Sequence, residues 1–283
     1  MKIRLALLLA AGTFVSTTIA AQAPQPSPEK LGWIPDPPSS ESRVQRKGPV
    51  APMEEDRLKY ATFLSQAGTG LVRLLPRWVI TNTGLEPQNN PRAFGINGGG
   101  AYFSFYYRTH QYGRGSDLEL NRRILGPDLS SDDHAPLRPG VEGLPSEATF
   151  SVGFAGADYG MMTDLGDVAV ESINLDHASL AFLLKYQPPA PEPQARCEHR
   201  RFQAGVKADG RVYKSRLPTK TGDTYLLRSI VYDTYDVLVA FQVVRQESDG
   251  SVTIAWKLLK KFSRANLEPV PNLNQRTLTC PPS

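Results

Sequence analysis

Two Asp-Gly dipeptides in the last third of the chain constrain its fold most. Asp209-Gly210 lies between Phe202–Val206 and Arg211–Leu217, and Asp249-Gly250 lies between Gln242–Arg245 and Ser251–Leu259. Asp-Gly favours the positive φ angles of tight turns whose twist matches paired strands, so each dipeptide marks a hairpin. Thr224–Tyr232 and Val237–Arg245 are joined by Asp233-Thr234-Tyr235-Asp236, a longer turn. Together these segments predict a five-stranded antiparallel meander. Val237–Val244 is apolar at nearly every position, which requires cover on both faces and marks a central strand. In the last strand Val252, Ile254, Trp256 and Leu258 point one way, while Lys257 and Lys261 point the other, as on a solvated face.

Short alternating runs also fill the chain from residue 69: Leu71–Leu75, Trp78–Thr81, Ala101–Arg108, Leu118–Leu125, Ala148–Phe154, Val168–Asn174 and Ser179–Tyr186. Such runs between turn residues read as antiparallel strands. The expected fold is all-β and mainly antiparallel, with a sandwich-like core in which residues 69–186 supply the sheet facing the meander. Pro188, Pro189, Pro191 and Pro193 interrupt the pattern, so residues 187–194 read as a crossover or a sub-boundary within one β-rich domain, 53–283. One helix is expected, after Pro52. Glu54, Glu55 and Asp56 fill its first turn, Leu58, Ala61, Phe63 and Leu64 form its apolar stripe, and Gly68 ends it. Residues 22–52 are a proline-rich arm or linker, too polar to fold alone.

Residues 1–21 read as an export signal. Lys2 and Arg4 precede an apolar run from Leu5 to Val15, and Ala20 and Ala21 offer the cleavage site. The run is too short to span a bilayer, so no transmembrane segment is expected after cleavage. No cysteine lies near the cut, which argues against a lipid anchor. The expected location is therefore secreted or periplasmic. Cys197 and Cys280 are the only cysteines. In an oxidising compartment they are expected to pair, pinning the C-terminal tail and contributing ~4 kcal/mol by loop closure. The formal charge of +4 is scattered, without a basic run suited to nucleic acid.

Chemistry-bearing motifs are sparse. The segment from Asn97 through three glycines to Ala101-Tyr-Phe-Ser-Phe-Tyr-Tyr-Arg108 is the most suggestive. Strand alternation would place Tyr102, Ser104, Tyr106 and Arg108 on one face, with His110, Tyr112 and Arg114 extending it. Flat rings, hydroxyls and a cation suit a sugar or another amphipathic ligand. A half-buried aromatic strand accounts for the same residues. The glycines lead into a strand and lack a P-loop lysine, so they do not form a phosphate site. Asp128 to His134 resembles the start of a calcium loop, but Asp133 and Pro139 stand where its glycine and closing glutamate belong, which leaves a solvated turn. Asp158, Asp164, Asp167 and Glu171 offer carboxylate pairs of the kind glycoside hydrolysis needs. His110, His134, His177 and His199 show no metal-ligand spacing. No metal site and no cofactor is implied.

These observations favour an exported, non-catalytic binding or envelope-associated β module. Its candidate ligand residues are Tyr102, Tyr106, Arg108, His110 and Tyr112, and its expected partner is a glycan or another cell-envelope component. Two alternatives stay open: a secreted polysaccharide hydrolase using loop carboxylates, and a structural subunit assembling through edge strands.

Overall fold

The hairpin turns marked by the sequence form, and antiparallel strands dominate the described residues, at 40% strand against 20% helix. The computed structural model describes residues 50–76, 100–110, 115–124, 146–153, 157–271 and 279–280. The chain divides into two units, Met1–Asp36 and Pro37–Ser283, and every described residue belongs to the second. The signal segment, nearly all of the arm, Trp78–Thr81, Gly98, Gly99, Tyr112, Arg114 and the acidic loop from Asp128 to His134 lie outside the described residues.

In chain order the elements begin with helices α1 (Glu54–Lys59) and α2 (Ala61–Leu64). Strands β1 (Thr69–Leu74), β2 (Tyr102–Phe103), β3 (Leu118–Ile124), β4 (Ser146–Ser151) and β5 (Tyr159–Asp164) follow. Two 3-10 turns, Val170–Ser172 and Ala178–Leu180, lead to helices α3 (Ala181–Lys185) and α4 (Glu192–Ala204). The chain then runs through β6 (Val206–Ala208), β7 (Arg211–Tyr213), β8 (Arg216–Pro218), β9 (Thr224–Val231), β10 (Tyr235–Gln246) and β11 (Val252–Phe262).

The central sheet has the order β1-β11-β10-β9-β5, and a second sheet has the order β2-β3-β4-β8. The meander is therefore three strands, β9 to β11, rather than five. β6 and β7 form a separate hairpin at Asp209-Gly210, where both turn residues take positive φ (48° and 72°). β8 crosses to pair with β4. The facing sheet does not come from residues 69–186 alone: β1 and β5 join the central sheet, and β8 completes the other.

As expected of a central strand, β10 is covered on both faces: Val237, Leu238, Val239, Ala240 and Phe241 are fully buried. One face carries Leu226, Ile230, Leu238, Ala240 and Ala255, packed with Val170, Ile173, Leu180, Leu183 and Phe202 from the helical segments. The other face meets the second sheet through aromatic rings. Phe150 stands edge-on to Phe241 at 5.1 Å and to Tyr225 at 5.5 Å. Phe105 meets Trp256 at 5.5 Å and Phe241 at 6.1 Å. Gly70 opposes Trp256 in the β1–β11 register, and a Cβ there would lie 2.5 Å from the indole, so the strand accepts only glycine beneath this ring.

A buried ion pair fastens the helical layer to the sheet. Arg228 of β9 grips Asp236 of β10 through Nε–H to Oδ1 (2.9 Å) and Nη2–H to Oδ2 (2.7 Å). Its Nη1 donates to the carbonyls of Leu183 (2.6 Å) and Tyr186 (2.7 Å), closing the C-terminal end of α3. The Phe262 ring lies 3.8 Å from the guanidinium carbon. Burial pushes the Asp236 carboxyl up against the pull of this arginine.

Several sequence expectations are corrected. Phe202 closes α4 instead of opening a strand, and the prolines before it prepare that helix. Pro191 caps α4 and Pro193 sits in its first turn, where a missing N–H costs nothing. Val168–Asn174 and Ser179–Tyr186 are helical turns, in which Val170 and Ile173, then Leu180 and Leu183, bury at a spacing of three. β5 lies where only loop acids are expected. The first helix breaks at Tyr60 into α1 and α2, and Leu58, placed on its apolar stripe, is 70% exposed. Its acidic turn does form, and Asp56 pairs with Arg245 of β10 at 2.9 Å. A bulge between Leu238 and Val239 shifts the β11 register, so Lys257 and Lys261 fall on opposite faces. Lys257 donates to the Ile173 carbonyl on the helical side.

Breaking the Arg228–Asp236 pair from one side leaves an uncompensated buried charge. Asp236→Leu is expected to lower stability by about 3–5 kcal/mol in urea denaturation. The double variant Arg228→Met with Asp236→Leu is expected to recover part of that loss.

Candidate functional site

Residues 101–110 do not run as one strand. β2 ends at Phe103, and Ser104 exchanges backbone hydrogen bonds with Thr109 (2.9 and 3.2 Å), so Phe105 to Arg108 form a reversal. Asp117 organises it. Its Oδ2 accepts from the Phe105 N–H (2.7 Å), the Tyr106 N–H (3.3 Å) and the Ser104 hydroxyl (3.2 Å). Its Oδ1 accepts from the Ser229 hydroxyl of β9 (2.6 Å) and the Tyr235 hydroxyl of β10 (2.9 Å). Burial pushes this carboxyl up, and the donors around it oppose that shift.

The reversal cancels the expected alternation, so Tyr102, Ser104, Tyr106 and Arg108 do not share a strand face. Tyr102 is buried. His110 donates Nδ1–H to the Tyr102 carbonyl (3.0 Å) and sets its ring edge-on to Phe103. Burial pushes its imidazole down to about 4, against the pull of that hydrogen bond, so it is neutral near neutral pH. Tyr106 is half-buried. It stacks on the buried Tyr235 ring with centroids 4.3 Å apart and planes 8° from parallel, and among the described residues its hydroxyl has no hydrogen-bond partner. The Lys261 ammonium lies 4.6 Å from the Tyr106 centroid. Two residues further along the reversal, half-buried Arg108 holds φ at 55°, where side chains other than Asn and Asp are disfavoured.

The structure thus sets Lys261 over Tyr106, with Arg108 two residues further along the same reversal, while Tyr102 is buried and half-buried His110 packs on Phe103. That Lys261 partners Tyr106 is not legible in the sequence, because the register shift that puts it on that side is not readable from alternation.

The other chemical candidates resolve differently. Asp158 accepts the Tyr232 N–H (2.9 Å) and is buried in that role. Asp164 meets Asp223 rather than Asp167, and Lys220 bridges the two at 3.0 and 3.4 Å. Burial and the neighbouring Asp164 charge push the Asp223 carboxyl up. Glu171 is exposed. His177 accepts the Ser179 N–H as a helix-start cap. Cys197 is bonded to Cys280, as expected, across 83 residues, so the neighbouring His199 has no thiol to activate. Among the described residues, no three His, Cys, Asp or Glu side chains converge to hold a metal ion.

No family model matches the chain, and no curated protein or solved structure matches it. No helix among the described residues is long and apolar enough to cross a membrane.

The depressed His110 pKa makes stability pH-dependent in one direction. Between about 6.5 and 4 the unfolded imidazole takes a proton that the folded one refuses, so this contribution is complete above pH 6.5 and is lost as pH falls towards 4. Across that window His110→Gln is expected to reduce the acid-side loss of stability by at most about 3 kcal/mol relative to the wild type, measured by urea denaturation at each pH.

Proposed function

We propose that this chain is an exported, non-catalytic binding module of the cell envelope, and that it takes a glycan at the rim formed by Tyr106, Arg108 and Lys261. The observation that carries the reading is the setting of Tyr106. Its ring is clamped on a buried tyrosine and is half-exposed beside a lysine, with a hydroxyl that has no partner among the described residues. A rigid aromatic with a polar tip supplies contact area at little entropic cost, which is what a saccharide site requires. The Cys197–Cys280 bridge supports an oxidising destination.

A second reading has its own observation. Asp164 and Asp223 form a close carboxylate pair at the end of the central sheet, the raw material of a hydrolase. Lys220 neutralises the pair, which favours a structural role over acid–base chemistry.

The purified, processed protein is expected to retain at least one member of a glycan panel and to leave every glycosidic bond intact. Tyr106→Leu is expected to weaken that binding about tenfold, in the range of an aromatic anchor. Cleavage that is abolished by Asp223→Asn and unaffected by Tyr106→Leu would replace the binding reading with the hydrolytic one.

A further inference from the structure

Several cations of the second unit are held in ion pairs. Arg245 is matched by Glu55 and Asp56, Arg228 by Asp236, and Lys220 by Asp164 and Asp223. Among the described residues Lys261 and Arg108 have no acidic partner. The acids of the adjoining hairpin and reversal are engaged otherwise. Asp236 holds Arg228, Asp233 accepts the Leu267 N–H (3.1 Å), and Asp117 is fully buried among its donors.

Lys261 also changes what the ring can do. One face of Tyr106 is covered by Tyr235, and the Lys261 ammonium lies over the ring as well. An approaching saccharide therefore meets a cation before it meets the π surface. A neutral sugar would have to displace that ammonium and leave it unpaired, whereas an acidic sugar gains from it. Arg108, held in a disfavoured backbone conformation, supplies a second charge on the same reversal, with the planar donor fork that suits an oxyanion.

We infer that the ligand taken at this rim is an acidic saccharide, whose carboxylate, sulfate or phosphate group pairs with Lys261 and Arg108 while its ring edge packs on Tyr106. This inference rests on the binding reading above and narrows its ligand class.

The test compares oligogalacturonate, sulfated dextran, phosphorylated mannan and neutral dextran for binding to the processed protein at two salt concentrations. The acidic probes are expected to bind at least about tenfold more tightly than neutral dextran, and rising salt should reduce that advantage. The three acidic arms separate carboxylate, sulfate and phosphate as the recognised group. Lys261→Gln and Arg108→Gln are each expected to weaken acidic binding about two- to fivefold and leave the thermal midpoint nearly unchanged. Neutral dextran binding as tightly as the acidic probes would overturn the inference and leave the binding reading in place. So would acidic binding that both charge variants retain in full, because the anion would then be read elsewhere. No binding to any probe or to any glycan of the wider panel would overturn both.

Discussion

Asp117 is a carboxylate taken fully out of water, and the joining of the two sheets depends on it. A buried charge is costly unless donors surround it. Here two backbone N–H groups and the Ser104 hydroxyl come from the reversal beside β2, and the hydroxyls of Ser229 and Tyr235 come from the central sheet. One side chain therefore fixes the local turn and the contact between layers. Tyr235 has one hydroxyl hydrogen and two acceptors at 2.9 Å, Asp117 and the Gly115 carbonyl. A proton on Asp117 would free Tyr235 to donate to Gly115, and burial pushes the carboxyl towards that form.

The β9–β10 hairpin serves both of its faces with adjacent residues. Arg228 and Ser229 are consecutive, as are Tyr235 and Asp236, and strand alternation sends each pair to opposite sides. Arg228 and Asp236 meet on the helical side and close the end of α3. Ser229 and Tyr235 meet Asp117 on the side of the second sheet. The same hairpin thus anchors both neighbouring layers with polar groups while its remaining positions supply apolar core. Tyr106 inherits its position from this clasp: its N–H rests on Asp117 and its ring rests on Tyr235.

How much of this could be read from the sequence follows from how local each signal is. The Asp-Gly turns, the both-face burial of β10, the strands β1, β3 and β4, and the Cys197–Cys280 bridge rest on short-range chemistry or on simple pairing, and they were legible. α4 was hidden because prolines that exclude a strand also suit a first helical turn. β5 was hidden because Met161 and Met162 sit between Gly160 and Asp164 without an alternating pattern. At the candidate rim Tyr106 and Arg108 were visible as chemistry, but their geometry was not. The reversal that separates them from Tyr102 is imposed by a carboxylate eleven to thirteen residues away. Lys261 falls on the Tyr106 side because β11 carries one unpaired residue, Leu259, between Leu258 (opposite Val239) and Lys260 (opposite Leu238).

A double-mutant cycle between Ser104→Ala and Ser229→Ala tests the central role of Asp117 most directly. The two hydroxyls come from different layers and both donate to Asp117, Ser104 to Oδ2 and Ser229 to Oδ1, and each substitution is small enough to leave the fold intact. Measured by urea denaturation, the cycle should give a coupling of at least about 0.5 kcal/mol, as for members of one hydrogen-bond network. Additivity within about 0.3 kcal/mol would mean that the two layers are held independently, and would contradict the account.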